Sequence, residues 1–182
     1  MAGLACLIAL GLAVGKGPTP VDDWFQTLGR HHPQLGYFLV FTDGRVLLAL
    51  CGAVVLAAAP QRRWSLAAAA AITPFLAVMA ARLAKRSFGR LKDGEICYPS
   101  GHTTLAFVVL AMAVVLVGAA TWAVMAFAAV MVLAVIGQAV TYHYFTDAIG
   151  ALFLGSAFVC VAVWVDGLDR CQPGGDEDHS SR

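Results

Sequence analysis

The chain has 182 residues, of which 60% are hydrophobic and 13% charged, and its formal net charge is +1. Soluble domains carry about 45–50% apolar and about 25% charged residues, so this composition excludes an ordinary soluble domain and points to an integral membrane protein folded as a single bundle. No basic stripe offers itself to nucleic acid. The five cysteines (Cys6, Cys51, Cys97, Cys160 and Cys171) form no Cys-x-x-Cys pair, which argues against a disulfide framework or a structural zinc site.

The first apolar run, residues 2–15, is short against the roughly 20 residues of a bilayer crossing. It has no basic flank of the kind that marks a cleavable leader, so a thin transmembrane helix is expected. Lys16 to Pro33 reads as a loop containing an amphipathic interfacial helix over Val21–Leu28, anchored by Trp24 and Phe25. His31 and His32, set among polar residues, read as interfacial and not as metal ligands. The second span is predicted over 37–59. Its Asp43-Gly44-Arg45 sits near the start, at the membrane interface, either as a snorkelling pair or lining the substrate's way in. A basic turn, Gln61-Arg62-Arg63, precedes the third span over 64–84, where Pro74 predicts a kink. Lys85 to Tyr98 reads as a polar loop. From Pro99 to Thr141 there is no Asp, Glu, Lys or Arg, enough chain for two crossings over 101–118 and 121–141. The last span is predicted over 143–165. The expected architecture is all-α, a six-transmembrane-helix bundle over residues 1–166 with an active site at one membrane face, followed by a disordered polar tail over 167–182.

Alternation then gathers the chemistry. The loop 85–100 and the turn 142–147 fall on one side, with the Arg62–Arg63 turn and both termini on the other. Ser100 is a good N-cap for a helix starting at Gly101 or His102. The free amides and positive dipole end of such a helix make a phosphate nest. His102 stands at its edge, and Lys85, Arg86, Arg90 and Lys92 lie upstream. His143 and Asp147, at i and i+4, are predicted on one helix face, so that the carboxylate orients the ring. A satisfied polar pair inside the bundle is the alternative, but ionisable groups at membrane depth are costly and so favour function. The set suggests phosphoryl transfer at a membrane surface. No acidic or Cys/His cluster has metal-ligand spacing, and no cofactor is called for.

Pro99-Ser100-Gly101-His102, with a Lys/Arg cluster before it and His143-x-x-x-Asp147 about forty residues after it, resembles the type-2 phosphatidic acid phosphatase and vanadium haloperoxidase superfamily. The resemblance covers roughly residues 24–165. It departs from the family pattern twice. The first motif, Lys, six residues, then Arg-Pro, meets Lys92 and Asp93 here, although Lys85 to Arg90 resembles a shorter variant. The Ser-Arg that opens the third motif is replaced by Ile136 and Gly137. The resemblance implies a membrane lipid-phosphate phosphatase acting on a polyprenyl or glycerolipid phosphate or pyrophosphate. His143 would be the nucleophile, Asp147 its orienting partner and His102 the general acid. Lys85, Arg90, Ser100 and Gly101 would bind phosphate, and Arg86, Lys92, Arg45 or Gln138 could compensate for the missing arginine. It also implies a plasma-membrane location with the site outside. A degenerate lipid-phosphate binder and a small proton-coupled transporter, with His143–Asp147 as relay, are the alternatives.

Overall fold

The computed structural model describes residues 2–165 and residue 167; the predicted tail, apart from Gly167, lies outside the described residues. The chain is helical almost throughout: α1 (Ala2–Val14), α2 (Pro20–His31), a 3-10 helix (Pro33–Thr42), α3 (Gly44–Ala58), α4 (Trp64–Phe88), α5 (Gly101–Leu116), α6 (Thr121–Ala139) and α7 (Phe145–Val165). Between α4 and α5 lies a two-residue antiparallel ladder, β1 (Leu91–Lys92) with β2 (Glu95–Ile96). Four segments are long and apolar enough to cross a membrane: 33–58, 64–88, 121–139 and 145–165.

Local chemistry explains most of the boundaries. Thr19 and Asp22 form a reciprocal capping box at the start of α2, with Pro20 at the first turn. The expected interfacial helix is therefore present and longer than predicted. The second span is not one continuous helix. Asp43 turns its carboxylate onto the Arg45 and Val46 amides, 2.8 and 3.2 Å away, and so starts α3 afresh after the 3-10 segment. Neither expected role of the Asp43–Arg45 pair takes this capping into account. The predicted polar loop is also more structured than its composition shows. Asp93 and Gly94, both at positive φ, make the tight two-residue turn that suits a hairpin. Pro74 lies inside α4 without ending it. A proline leaves the carbonyl four residues back without its helical donor, and here Cys51 Sγ donates to that Ala70 carbonyl at 3.2 Å.

Helix α5 packs against α3, α4, α6 and α7, and α7 against α1 as well. The interior is built largely from alanine, with Ala58, Ala70, Ala77, Ala81, Ala106, Ala134, Ala148 and Ala151 nearly fully buried. Small residues let helix backbones approach closely, the packing that serves where there is no water to drive association. Many large apolar side chains face outward, among them Leu12, Leu48, Leu56, Phe75 and Met125. At the end of the bundle away from the hairpin, Arg63 donates to the Leu116 and Val115 carbonyls at 2.6 and 3.1 Å. It thereby satisfies the last turn of α5.

Candidate active site

The site begins at the α5 terminus. Ser100 is the N-cap, as expected, and α5 starts at Gly101. The Ser100 hydroxyl is buried and accepts from the Thr103 amide and hydroxyl, at 3.4 and 3.1 Å. It borders neither of the cavities described below. The amides of Gly101 and His102, the first two of the helix, have no acceptor within it. Gly101 and His102 border a cavity of about 310 Å³ together with Arg82, Lys85 and His143. A neighbouring cavity of about 520 Å³ is bordered by His102, His143, Thr42, Asp43, Gln138 and Tyr142. The two cavities share Gly44, His102 and His143. The structure thus brings both predicted histidines, Lys85 and Gly101 to one place.

His143 is not on a helix with Asp147. It lies in the turn between α6 and α7, two residues before α7 begins, and its geometry is set by its neighbours. The His143 amide donates to the Gln138 carbonyl at 3.0 Å. Its own carbonyl accepts from Gln26 of α2 and from Lys92 Nζ, each at 3.2 Å. Nδ1 stands 3.5 Å from Asp147 Oδ2 and is otherwise without a partner. That oxygen also accepts from the Tyr144 amide at 3.1 Å.

Behind the turn lies a buried cluster. Arg90 is fully buried, and its five N–H groups are all engaged. Nε donates to the Gly17 carbonyl, Nη1 to Thr146 Oγ1 and Asp147 Oδ1, and Nη2 to the Gly17 carbonyl and Asp22 Oδ2, at 2.6–3.2 Å. A guanidinium has no further donors. The phosphate-binding role expected for Arg90 is therefore corrected to a structural one, in which it holds Asp147 and ties α2 to α7. Its guanidinium also stands over the Tyr144 ring, 4.5 Å from the centroid. Asp22, which sequence reasoning passed over, is fully buried. Burial alone would raise its pKa, but hydrogen bonds from the Thr146 amide, from Thr19 and from Arg90 outweigh this and hold the carboxyl below its ordinary 3.8. A carboxyl of this kind stabilises the fold above its unfolded-state pKa and loses that contribution as pH falls through its folded-state pKa. Asp22→Asn should therefore lower the melting temperature in detergent at about pH 7, with the gap to wild type shrinking below about pH 4. A gap that stays constant with pH would contradict this role.

The remaining candidates divide. Lys92 donates to the Thr141 and His143 carbonyls at 3.0 and 3.2 Å, and so positions the turn from beneath. Burial draws its pKa down, and the neighbouring Asp93 and Asp147 carboxylates offset only part of that. Arg86 and Arg45 are exposed and border neither cavity. Gln138 does border the larger one, but its Nε2 is spent on Thr42 at 2.7 Å. That bond uses one of the two N–H groups of the amide, and the neutral side chain brings no positive charge to replace that of an arginine. Cys97 is buried, and burial, followed by the Asp147 carboxylate, pushes its thiol up to about 12, so it is no nucleophile. Arg82 was missed in the sequence because it lies inside an apolar run; only its position three residues before Lys85 hints that both share a face. Among the described residues, no group of three or more His, Cys, Asp or Glu side chains forms a metal ligand set.

The structure leaves no room for a side chain at position 137. An added Cβ on Gly137 would lie 2.8 Å from the Phe38 carbonyl carbon and 2.9 Å from the Leu39 nitrogen. The 3-10 helix fills the space such a side chain would need. No family model matches the chain, and no curated protein or solved structure does so either.

Proposed function

We propose that the protein is a metal-independent lipid-phosphate phosphatase working through a phosphohistidine. The observation that carries this reading is the meeting of His102 and His143 at adjoining cavities with Lys85 and Arg82, with Asp147 behind His143. In the first step the free His143 nitrogen attacks phosphorus, and the bond from phosphorus to the leaving oxygen breaks. His102 gives that oxygen its proton. In the second step His102 takes a proton from water as the water oxygen attacks the phosphohistidine, releasing phosphate and restoring His143. Lys85, Arg82 and the Gly101 and His102 amides meet the charge on the phosphoryl oxygens. Asp147 orients the ring from its Nδ1 side. The substrate class is a polyprenyl or glycerolipid phosphate.

A second reading is a protein that binds lipid phosphate without turning it over. It draws support from the commitment of Arg90 and from the glycine at position 137. The two separate in one experiment with protein purified in detergent. Phosphate release from a lipid phosphate that vanadate inhibits and EDTA leaves intact is the expected result. Binding without release would favour the second reading, and activity recovered only with an added divalent ion would overturn the mechanism.

The membrane arrangement that fits is six crossings, by α1, the 3-10 helix with α3, α4, α5, α6 and α7. Exposed aromatics mark both ends: Trp24, Tyr37 and Tyr142 beside the site, and Trp64, Trp122 and Trp164 opposite it. We place the site end outside the plasma membrane. The basic turn at Arg62–Arg63 supports this orientation, although Arg63 also has a structural task. Glu95→Cys, at the exposed hairpin in a Cys97→Ser background, should react with an impermeant maleimide on intact cells. Labelling only after lysis would reverse the orientation.

A further inference from the structure

The two adjoining cavities differ in electrostatic character. Arg82 and Lys85 border the smaller one, and no carboxylate does. They stand three residues apart on α4 and so share a face. Neither takes part in an ion pair among the described residues. The larger cavity has no lysine or arginine at its border, and it has Asp43.

The hydrogen bonds of the larger cavity leave it rich in acceptors. Thr42 Oγ1 donates to the Leu39 carbonyl at 3.0 Å, which uses its single proton. It must then accept from Gln138, so the amide has to turn Nε2 toward it. Gln138 Oε1 is left buried and without a partner, in a residue only 2% exposed. Buried acceptors are normally paired, so an unpaired one in a residue at the cavity border calls for a donor there. Asp43 adds to it: Oδ1 takes the two α3 amides, which leaves Oδ2 as a second acceptor at the border.

A phosphate has acceptors and negative charge to offer, which suits the first cavity and is repelled in the second. A hydroxyl suits the second. We infer that the substrate places its phosphate against Arg82 and Lys85 and a hydroxylated alcohol, of the glycerol or sugar kind, against Gln138 and Asp43. The site therefore selects hydroxyl-bearing lipid phosphomonoesters over lipid diphosphates. This rests on the phosphatase reading and narrows it. It also gives Arg82 the phosphate contact that Arg90 cannot make.

The test uses the full-length protein in detergent and three lipids with one tail: a monoacylglycerol phosphate with its free hydroxyl, the deoxy analogue lacking only that hydroxyl, and the lipid diphosphate. The hydroxylated lipid should exceed both others in kcat/KM by at least about tenfold, since a site built to pair a hydroxyl discriminates against its absence. Gln138→Leu and Asp43→Asn, the latter keeping a good N-cap, should each cut that ratio at least threefold. Arg82→Ala should raise KM for all three. Equal rates on the hydroxylated and deoxy lipids, or a preference for the diphosphate, would overturn the inference and leave the phosphatase reading standing. No release from any of the three, with release from a polyprenyl phosphate, would overturn the inference alone, and no release from any of these lipids or from the polyprenyl phosphate would overturn both.

Discussion

His143→Ala should release no phosphate from any lipid phosphate that the wild type hydrolyses, with kcat down at least a thousandfold, about 4 kcal/mol of barrier. The fold should survive the change. The contacts that shape the turn belong to the backbone of this residue: its amide on Gln138, and its carbonyl under Gln26 and Lys92. Alanine keeps all of them. The side chain contributes a ring whose Nδ1 looks back at Asp147 and whose other nitrogen is the proposed nucleophile. The measurement is single-turnover phosphate release, with the elution profile and melting temperature as controls for folding. Turnover within about tenfold of wild type, a loss of about 1.4 kcal/mol, would remove His143 from the nucleophile role.

The second large effect is on folding. Arg90→Ala leaves two carboxylates, Asp22 and Asp147, buried side by side without the cation between them. Breaking a buried ion pair by removing one partner costs about 3–5 kcal/mol, a large part of a typical domain's stability. We expect aggregation in detergent and no recoverable activity. Arg90→Lys should fail as well, because a single ammonium with three donors cannot serve Gly17, Asp22, Asp147 and Thr146 together. Pairing Arg90→Met with Asp22→Asn removes the charge conflict at one end and should partly restore a monodisperse peak. An Arg90→Ala protein that stays folded and shows only a raised KM would return this arginine to the substrate and refute the structural assignment.

Much of the bundle could be read from apolar run lengths. The α5 start at Gly101 was legible because Pro-Ser-Gly after a polar stretch leaves the chain few alternatives. Where the sequence misled, the cause was an interaction between distant residues. Asp22 looks like any acidic residue on an amphipathic surface helix; only folding carries it to Arg90 and Thr146, far along the chain. Arg90 stands where a motif arginine is expected, and the burial that changes its task is a tertiary property. The i, i+4 spacing of His143 and Asp147 implied a helical face, but a turn delivers the same proximity, with Tyr144 and Lys92 doing the positioning. Gln138 reads from the sequence as a stand-in for the arginine, but the orientation of its amide depends on a hydroxyl in the 3-10 helix.

The contact between Gly137 and the 3-10 helix makes two designs for this corner mutually exclusive. A chain can carry an arginine at this point of α6, or it can route the preceding segment tightly across it, but it cannot do both. Gly137→Arg would therefore clash with the 3-10 helix before it could bring a charge to the site. Any lineage exchanging one arrangement for the other must alter both places together, passing through an intermediate with either a clash or an unfilled gap. Glycine at this position and a 3-10 stretch running tightly across it before α3 should accordingly be inherited as a pair.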